Sequence, residues 1–242
     1  MKKRMMLVCL VLAAALLLSA CGEKKNTTTY AETSNSIPVV LNNAEYVLYQ
    51  NIFYNGYGTQ YDGKAVTKRG VFTTVQDAYN NLTRYYVWGY LDQTKCCDWQ
   101  WELNLADTSN LPANGSLVDV SGIFRNNDNA LDNYWVDEAK VTVLTRYTGK
   151  TADIDMLTMD GTLERVQLAN INTHADYFEG KTVSAYGRIY DSGNIQDPYY
   201  DGSWTTAFSS GDTLPAIGTS VKLRGVLANA VISDASIEIV TE

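Results

Sequence analysis

The sequence predicts a mainly-β chain, two related small domains of short strands carried behind a removable N-terminal segment and a flexible tether. Three observations carry this. The second half of the chain repeats the first in two collinear blocks. Short stretches of alternating apolar and polar residues recur between Gly/Asn/Asp clusters, as half-buried strands and hairpin turns require. The first 36 residues show neither feature: a basic head leads into an apolar run and then a polar tract.

Lys2, Lys3 and Arg4 stand before a 14-residue apolar run, Met5 to Leu18. A positive head, a short apolar stretch and small residues at its end describe a secretory signal. The run is shorter than the about 20 residues that a membrane-spanning helix needs. Its ending, Leu18-Ser19-Ala20-Cys21, resembles the lipobox of bacterial lipoproteins at every position. That resemblance implies removal of residues 1–20, a lipid thioether on Cys21 and an acylated (palmitate-type) new N-terminus. The mature protein would then sit on the extracytoplasmic face of the cell membrane, each buried acyl methylene contributing about 0.8 kcal/mol. The competing reading is an uncleaved anchor helix with Cys21 an ordinary cysteine. The short run, and a cysteine two residues after Ser19, stand against it. Residues 22–36, GEKKNTTTYAETSNS, have no periodicity, so 21–36 reads as a tether lifting the folded part off the bilayer.

Composition narrows the function classes. Residues 1–20 hold three of the 19 Lys/Arg and none of the 27 Asp/Glu, so the mature chain carries 16 basic against 27 acidic side chains, net −11. Such a balance disfavours nucleic acid and anionic lipid as partners, because phosphate binding runs on Lys/Arg neutralisation. It suits a body attached to the membrane through the lipid on Cys21. The 17 tyrosines against five phenylalanines suit half-buried strand positions, or amphipathic surfaces for sugars and proteins.

Ordered structure is expected from Ile37. Sliding the chain by 117 residues lays 37–72 on 154–189 without a gap, with Ile37/Ile154, Gln50/Gln167, Asn55/Asn172, Gly63/Gly180, Lys64/Lys181, Val66/Val183 and Gly70/Gly187 identical. A second block, LPANGSLVDVSGIFRN (111–126) on LPAIGTSVKLRGVLAN (214–229), matches at a shift of 103, so the first copy carries 14 extra residues between the blocks. Internal repeats decide architecture first. The copies are drawn as residues 37–147 and 148–242.

In the first copy, strands are expected at 64–72, 84–90, 98–105, 117–124 and 139–144, with Gly70 at a bulge or bend. A short helix is expected before the first strand in each copy, Ala44 to Asn55 and Leu163 to Asp176. In the second copy, Asp191 to Ser203 is loop-like, so that sheet lacks one strand or carries a much shortened one. Five short strands with internal glycines, and the phrase Tyr61-x-Gly63-Lys64-x-Val66-x-x-x-Gly70 matched by Phe178–Gly187, resemble the OB-fold. This is a small Greek-key barrel met in secreted bacterial proteins. The resemblance implies two tandem OB-like barrels. Barrels of this kind often bind ligands on the face of strands 2 and 3, where Trp88, Trp99 and Trp101 fall. Trp99 and Trp101 share a face, which is either the core or a stacking surface.

With Cys9 in the signal and Cys21 lipidated, only the adjacent Cys96 and Cys97 remain, which excludes a long-range disulfide framework. Three readings of that pair stay open. It is structural, with the thiols on opposite faces. It forms a strained, easily reduced vicinal disulfide. Or it binds metal with Asp98, Glu102 or the single histidine, His174, although zinc sites usually want three or four protein ligands. The loops Asn126–Asn129 with Asp132, and Asp191–Asn194 with Asp197 and Asp201, gather oxygen ligands without the EF-hand spacing. Asn/Asp turns account for both, so no metal and no cofactor beyond the lipid are assigned. No G-x-S-x-G elbow is present, and no catalytic motif identifies a reaction, so the sequence leans against an enzyme. It points to a surface-anchored binding or scaffolding module for a protein or glycan. The alternative is a thiol-redox or metal-handling protein acting through Cys96-Cys97.

Overall fold

The computed structural model describes residues 45, 47, 49, 50, 52, 58–91, 97–126, 134–198 and 203–241. The signal, Cys21, the tether, Cys96, residues 127–132 and Asp201 lie outside them. The described chain is mainly β and forms two sheets. In the first copy these strands are β1 (Ala65–Asp77), β2 (Leu82–Tyr90), β3 (Asp98–Leu105), β4 (Leu117–Asn126) and β5 (Tyr134–Thr145). They are ordered β1-β2-β3-β5-β4, and the sheet closes on itself. Closure works because the 13-residue β1 serves two neighbours. Ala65–Val71 pairs with β4, and Val71–Asp77 pairs with β2. A strand shared this way must coil sharply. Gly70 sits at the changeover, where a Cβ would lie 2.5 Å from Val87 Cγ2 and 2.6 Å from the Trp88 carbonyl oxygen. Alternation then directs Phe72, Val87, Trp99, Trp101, Val120 and Phe124 into one interior.

The second copy supplies β6 (Ile154–Asp155), β7 (Thr182–Ile189), β8 (Asn194–Gln196), β9 (Thr205–Ala207), β10 (Ser220–Ala228) and β11 (Val231–Ile239). Their order is β11-β10-β7-β8-β9, with β6 parallel to β7. The stretch read as loop from Asp191 to Ser203 contains β8, and β9 follows it. Both are three residues long, against nine and eight in β2 and β3. Where β3 and β5 run parallel in the first sheet, a single parallel bridge joins Phe208 to Ile232 in the second.

The repeat extends to individual hydrogen bonds. The short helices α1 (Gly58–Tyr61) and α3 (Ala175–Phe178) occupy matching places before β1 and β7. After each, glycine adopts positive φ, +75° at Gly63 and +76° at Gly180, a left-handed conformation that disfavours any side chain. Gly63 N–H donates to the Phe124 carbonyl at 2.9 Å and Gly180 N–H to that of Leu227 at 2.8 Å. Asp62 accepts from Asn126 N–H, and Glu179 accepts likewise from Asn229 N–H. Lys64 lies over the Tyr61 ring and Lys181 over the Phe178 ring. The repeated Tyr/Phe-Asp/Glu-Gly-Lys phrase is thus a clasp tying the start of the first long strand to the fourth.

The expected helices are present where residues are described. Glu45, Val47, Tyr49, Gln50 and Ile52 are helical, and α2 (Gly161–Thr173) precedes β7. Asp160 caps α2, its Oδ1 accepting from Leu163 N–H at 2.7 Å. The helix breaks at His174, so Asp176 falls in α3. Two strands differ most in extent: β1 runs five residues beyond the expected Phe72, to Asp77, and β5 begins at Tyr134, five residues before the expected Ala139. Its inward positions, Val136 and Ala139, are three apart because the chain bulges at Glu138, φ +50°. A bulge breaks the period-two pattern from which a strand is read.

The described residues from Gly58 to Val240 belong to one compact unit. The second hydrophobic cluster, built on α2, β7 and β10, includes Val75 and Trp88 from the first copy. Trp88 Nε1 donates to the Thr158 carbonyl at 2.9 Å, Gln76 N–H donates to Gln167 Oε1 at 2.8 Å, and Thr162 donates twice to the Asp98 carboxylate. The outer faces of β1 and β2 are thereby covered in part by the second copy, around Val75 and Trp88, while Arg84 of β2 and the strands β3 and β5 keep an outward face.

Candidate binding groove

A groove of about 480 Å³ runs across β2, β3 and β5, lined by the outward Arg84, Glu102, Asn104 and Trp135 and by the inward-side Tyr85 and Tyr134 among others. Trp135 is its outward-facing aromatic residue. Tyr134 and Val136 belong to the interior, so alternation turns Trp135 outward. The register sets it beside Glu102 on β3 and Arg125 on β4. Of the five tryptophans it alone stands outside both hydrophobic clusters, half-buried on the surface.

The polar residues around Trp135 are held by one another. Arg84 bridges Asp77 Oδ2 at 2.9 Å and Glu102 Oε1 at 2.8 Å. On the other side Asn104 donates to Asp137 Oδ1 at 2.7 Å, and Arg125 lies 3.4 Å from Asp137 Oδ2. Partly exposed pairs like these add little stability, but they fix the orientation of planar side chains. The Asn80 hydrogen bonds, with Arg84 beside them, hold the Asp77 carboxyl below the usual range. The Asn104 hydrogen bond, followed by Arg125, does the same for Asp137. Burial first, and then the Glu102 charge, pushes the Tyr86 phenol upward, so it stays protonated at neutral pH. The lining residues include no His, Cys or Lys. A ring face bordered by fixed acceptors and donors can hold a ligand with one apolar face and a polar edge, such as a sugar or an extended peptide.

The tryptophans picked out from the sequence are elsewhere. Trp99 and Trp101 share a face as expected, and that face is the interior: they are 1% and 5% exposed. Trp88, 8% exposed, points the opposite way and is buried against the second copy, edge-on to Tyr90. None of the three presents its ring to solvent as a stacking surface. Cys97 is exposed, its carbonyl accepting from Leu91 N–H at 2.9 Å. The suggested co-ligands are engaged apart from one another: Asp98 with Thr162, Glu102 with Arg84, and His174 against the Tyr79 ring. Among the described residues no group of three or more His, Cys, Asp or Glu side chains is placed to hold a metal ion. In the second acidic loop, Asp191 accepts from Gly193 N–H and Asn194 Nδ2, an Asx turn that occupies its oxygens.

Trp135 went unread because it opens the strand whose period the bulge at Glu138 breaks. The signal that could have found it is local: in Tyr134-Trp135-Val136 the middle residue must face opposite to its neighbours. Comparison with known proteins finds no matching family model and no matching curated relative.

Proposed function

We propose that the chain is a lipid-anchored extracytoplasmic binding module, held to the membrane through Cys21, which presents the Trp135 groove to a protein or glycan ligand. The observation that carries the reading is the groove itself, an outward tryptophan bordered by side chains that ion pairs and hydrogen bonds hold in place. The strand order β1-β2-β3-β5-β4, closed through β1 and β4, supports reading the first copy as an OB-like Greek-key barrel. The second copy, whose strands pair in the corresponding order, is read as a cut-down version of it. Fold alone carries no ligand, so the ligand class follows from the groove's chemistry. Among the described residues no helix is long and apolar enough to cross a membrane, and attachment through an acylated Cys21 needs none.

Binding of the full-length chain, reconstituted in vesicles, to a glycan panel and to extracytoplasmic protein extract tests the reading. Trp135→Ala is expected to weaken the retained ligand tenfold or more, about 1.4 kcal/mol or above, as truncation of a central aromatic anchor does, with thermal stability little changed. Equal retention by the variant would remove the groove from the function. Exposure of Cys97 is what the thiol alternative requires. Alkylation with mass mapping that finds Cys96 and Cys97 joined and reducible would favour it.

A further inference from the structure

A second cavity, separate from the groove, lies between Glu45 and Tyr49, the start of β1 and the two tryptophans of β3. It has a volume of about 200 Å³ and is lined by Glu45, Tyr49, Val66, Lys68, Trp99 and Trp101 among others. Lys68 shares the inward face of β1 with Val66 and Phe72 and is only 6% exposed. Its Nζ lies 3.1 Å from Glu45 Oε1 and 4.3 Å from the centre of the Trp99 ring. Burial holds the ammonium below its usual pKa against the opposing pull of Glu45. Trp101 Nε1 is buried without a hydrogen-bond partner among the described residues.

The second copy builds its sheet with other residues at these positions. At the positions of Glu45, Tyr49 and Lys68 the second copy has Thr162, Val166 and Ala185, and Ala185 is fully buried in the second cluster. A buried lysine and an unmatched indole N–H are each costly in a protein interior, and the lysine's partner Glu45 is itself only partly buried. Here they occur together around one cavity, and only in the first copy.

We propose that this cavity binds a small uncharged molecule carrying a carbonyl-type oxygen on a compact, planar apolar body. Size sets the scale: a buried apolar cavity of about 150 Å³ takes up benzene, and this one is somewhat larger. The rings of Trp99 and Trp101 with Val66 supply apolar walls. An ammonium has three N–H donors. One is directed to Glu45, so a ligand oxygen can draw on the others and on the Trp101 indole. Charge selects against ions. Lys68 and Glu45 already neutralise each other, so an anion would leave a second negative charge beside Glu45, and a cation would face Lys68, in a poorly solvated space.

The test uses three probes of one shape on the full-length chain in detergent micelles: benzamide, benzoate and toluene. The Trp101 indole N–H resonance, assigned by its loss in Trp101→Phe, reports binding. Benzamide is expected to shift it saturably, with benzoate and toluene each about tenfold weaker or more. Glu45→Gln leaves Lys68 unneutralised, so in that variant benzoate should overtake benzamide. Trp135→Ala should leave benzamide binding unchanged, which separates this site from the groove. The native chain decides the matter by itself. No saturable shift with benzamide, or benzoate or toluene binding as tightly, overturns the proposal. An unchanged probe order in a folded Glu45→Gln variant overturns the charge assignment.

Discussion

Gly70 and Gly180 are repeated glycines that do different physical work, and a single methyl group separates them. At Gly70 an added Cβ meets Val87 Cγ2 at 2.5 Å and the Trp88 carbonyl at 2.6 Å, while its φ is ordinary. At Gly180 nothing lies within 4 Å, but φ is +76°. Gly70→Ala therefore overpacks the shared strand and should cost about 1–3 kcal/mol or more. Gly180→Ala adds only left-handed strain, about 1–2 kcal/mol. Urea unfolding of the two variants checks the pair, and a Gly70→Ala variant milder than Gly180→Ala would remove the bend from the account. Both glycines were legible in the sequence because they recur at one spacing. The facing of Trp99 and Trp101 was not. Their common face could be read, but alternation does not say which face of a sheet is the interior when the other face is also partly covered. Lys68 was visible only as a charge sharing a face with Val66 and Phe72.

At the scale of one element, α2 and its cap carry two deeply buried carboxyl groups. Asp160 and Glu164 are 1% and 4% exposed, at the cap and in the first turn. Burial is the main cause that raises both carboxyls well above their usual values. Asp98 adds to it at Asp160, and Asp197 and Asp160 add to it at Glu164. Below the ordinary carboxylate range both the folded and the unfolded chain hold these protons. As pH rises past that range the unfolded chain releases them first, so the stability they contribute falls until the raised folded values are passed. Glu164→Gln keeps the acceptor for Tyr186 N–H, at 3.3 Å, and removes the titration. Its stability relative to the parent should therefore grow between pH 4 and 7, near the ordinary carboxylate pKa and above it. Urea midpoints across that range measure this, and a difference flat in pH would mean that Glu164 is not protonated in the folded chain. The carboxyls lowered by hydrogen bonds, Asp77 and Asp137, act oppositely and lose their contribution on acidification. Helix α2 itself was legible as the element ahead of the repeated strand. The three-residue β8 was not, since a strand that short carries no alternation to read.

Across the whole molecule, the repeat predicts two units and the packing couples them. Trp88 and Val75 belong by sequence to the first copy, yet they pack in the cluster that holds Met156, Met159, Leu163 and Ile195 of the second. The sequence could not show this, because an outward-facing tryptophan on a strand looks the same whether solvent or another sheet covers it. The polar contacts Trp88–Thr158, Thr73–Thr158 and Gln76–Gln167 run along the same seam. Residues 148–242 expressed alone would expose the face that Trp88 covers, and should give no cooperative unfolding transition. In the full chain, Trp88→Ala should destabilise by about 3–5 kcal/mol, the usual cost of truncating a large buried aromatic. The loss should appear in one transition. Hydrogen exchange at β4 and at β10, elements on opposite sides of the seam, should then shift by the same amount. Two separated transitions, with only the β4 amides shifted, would mean instead that the seam joins two independently folding bodies.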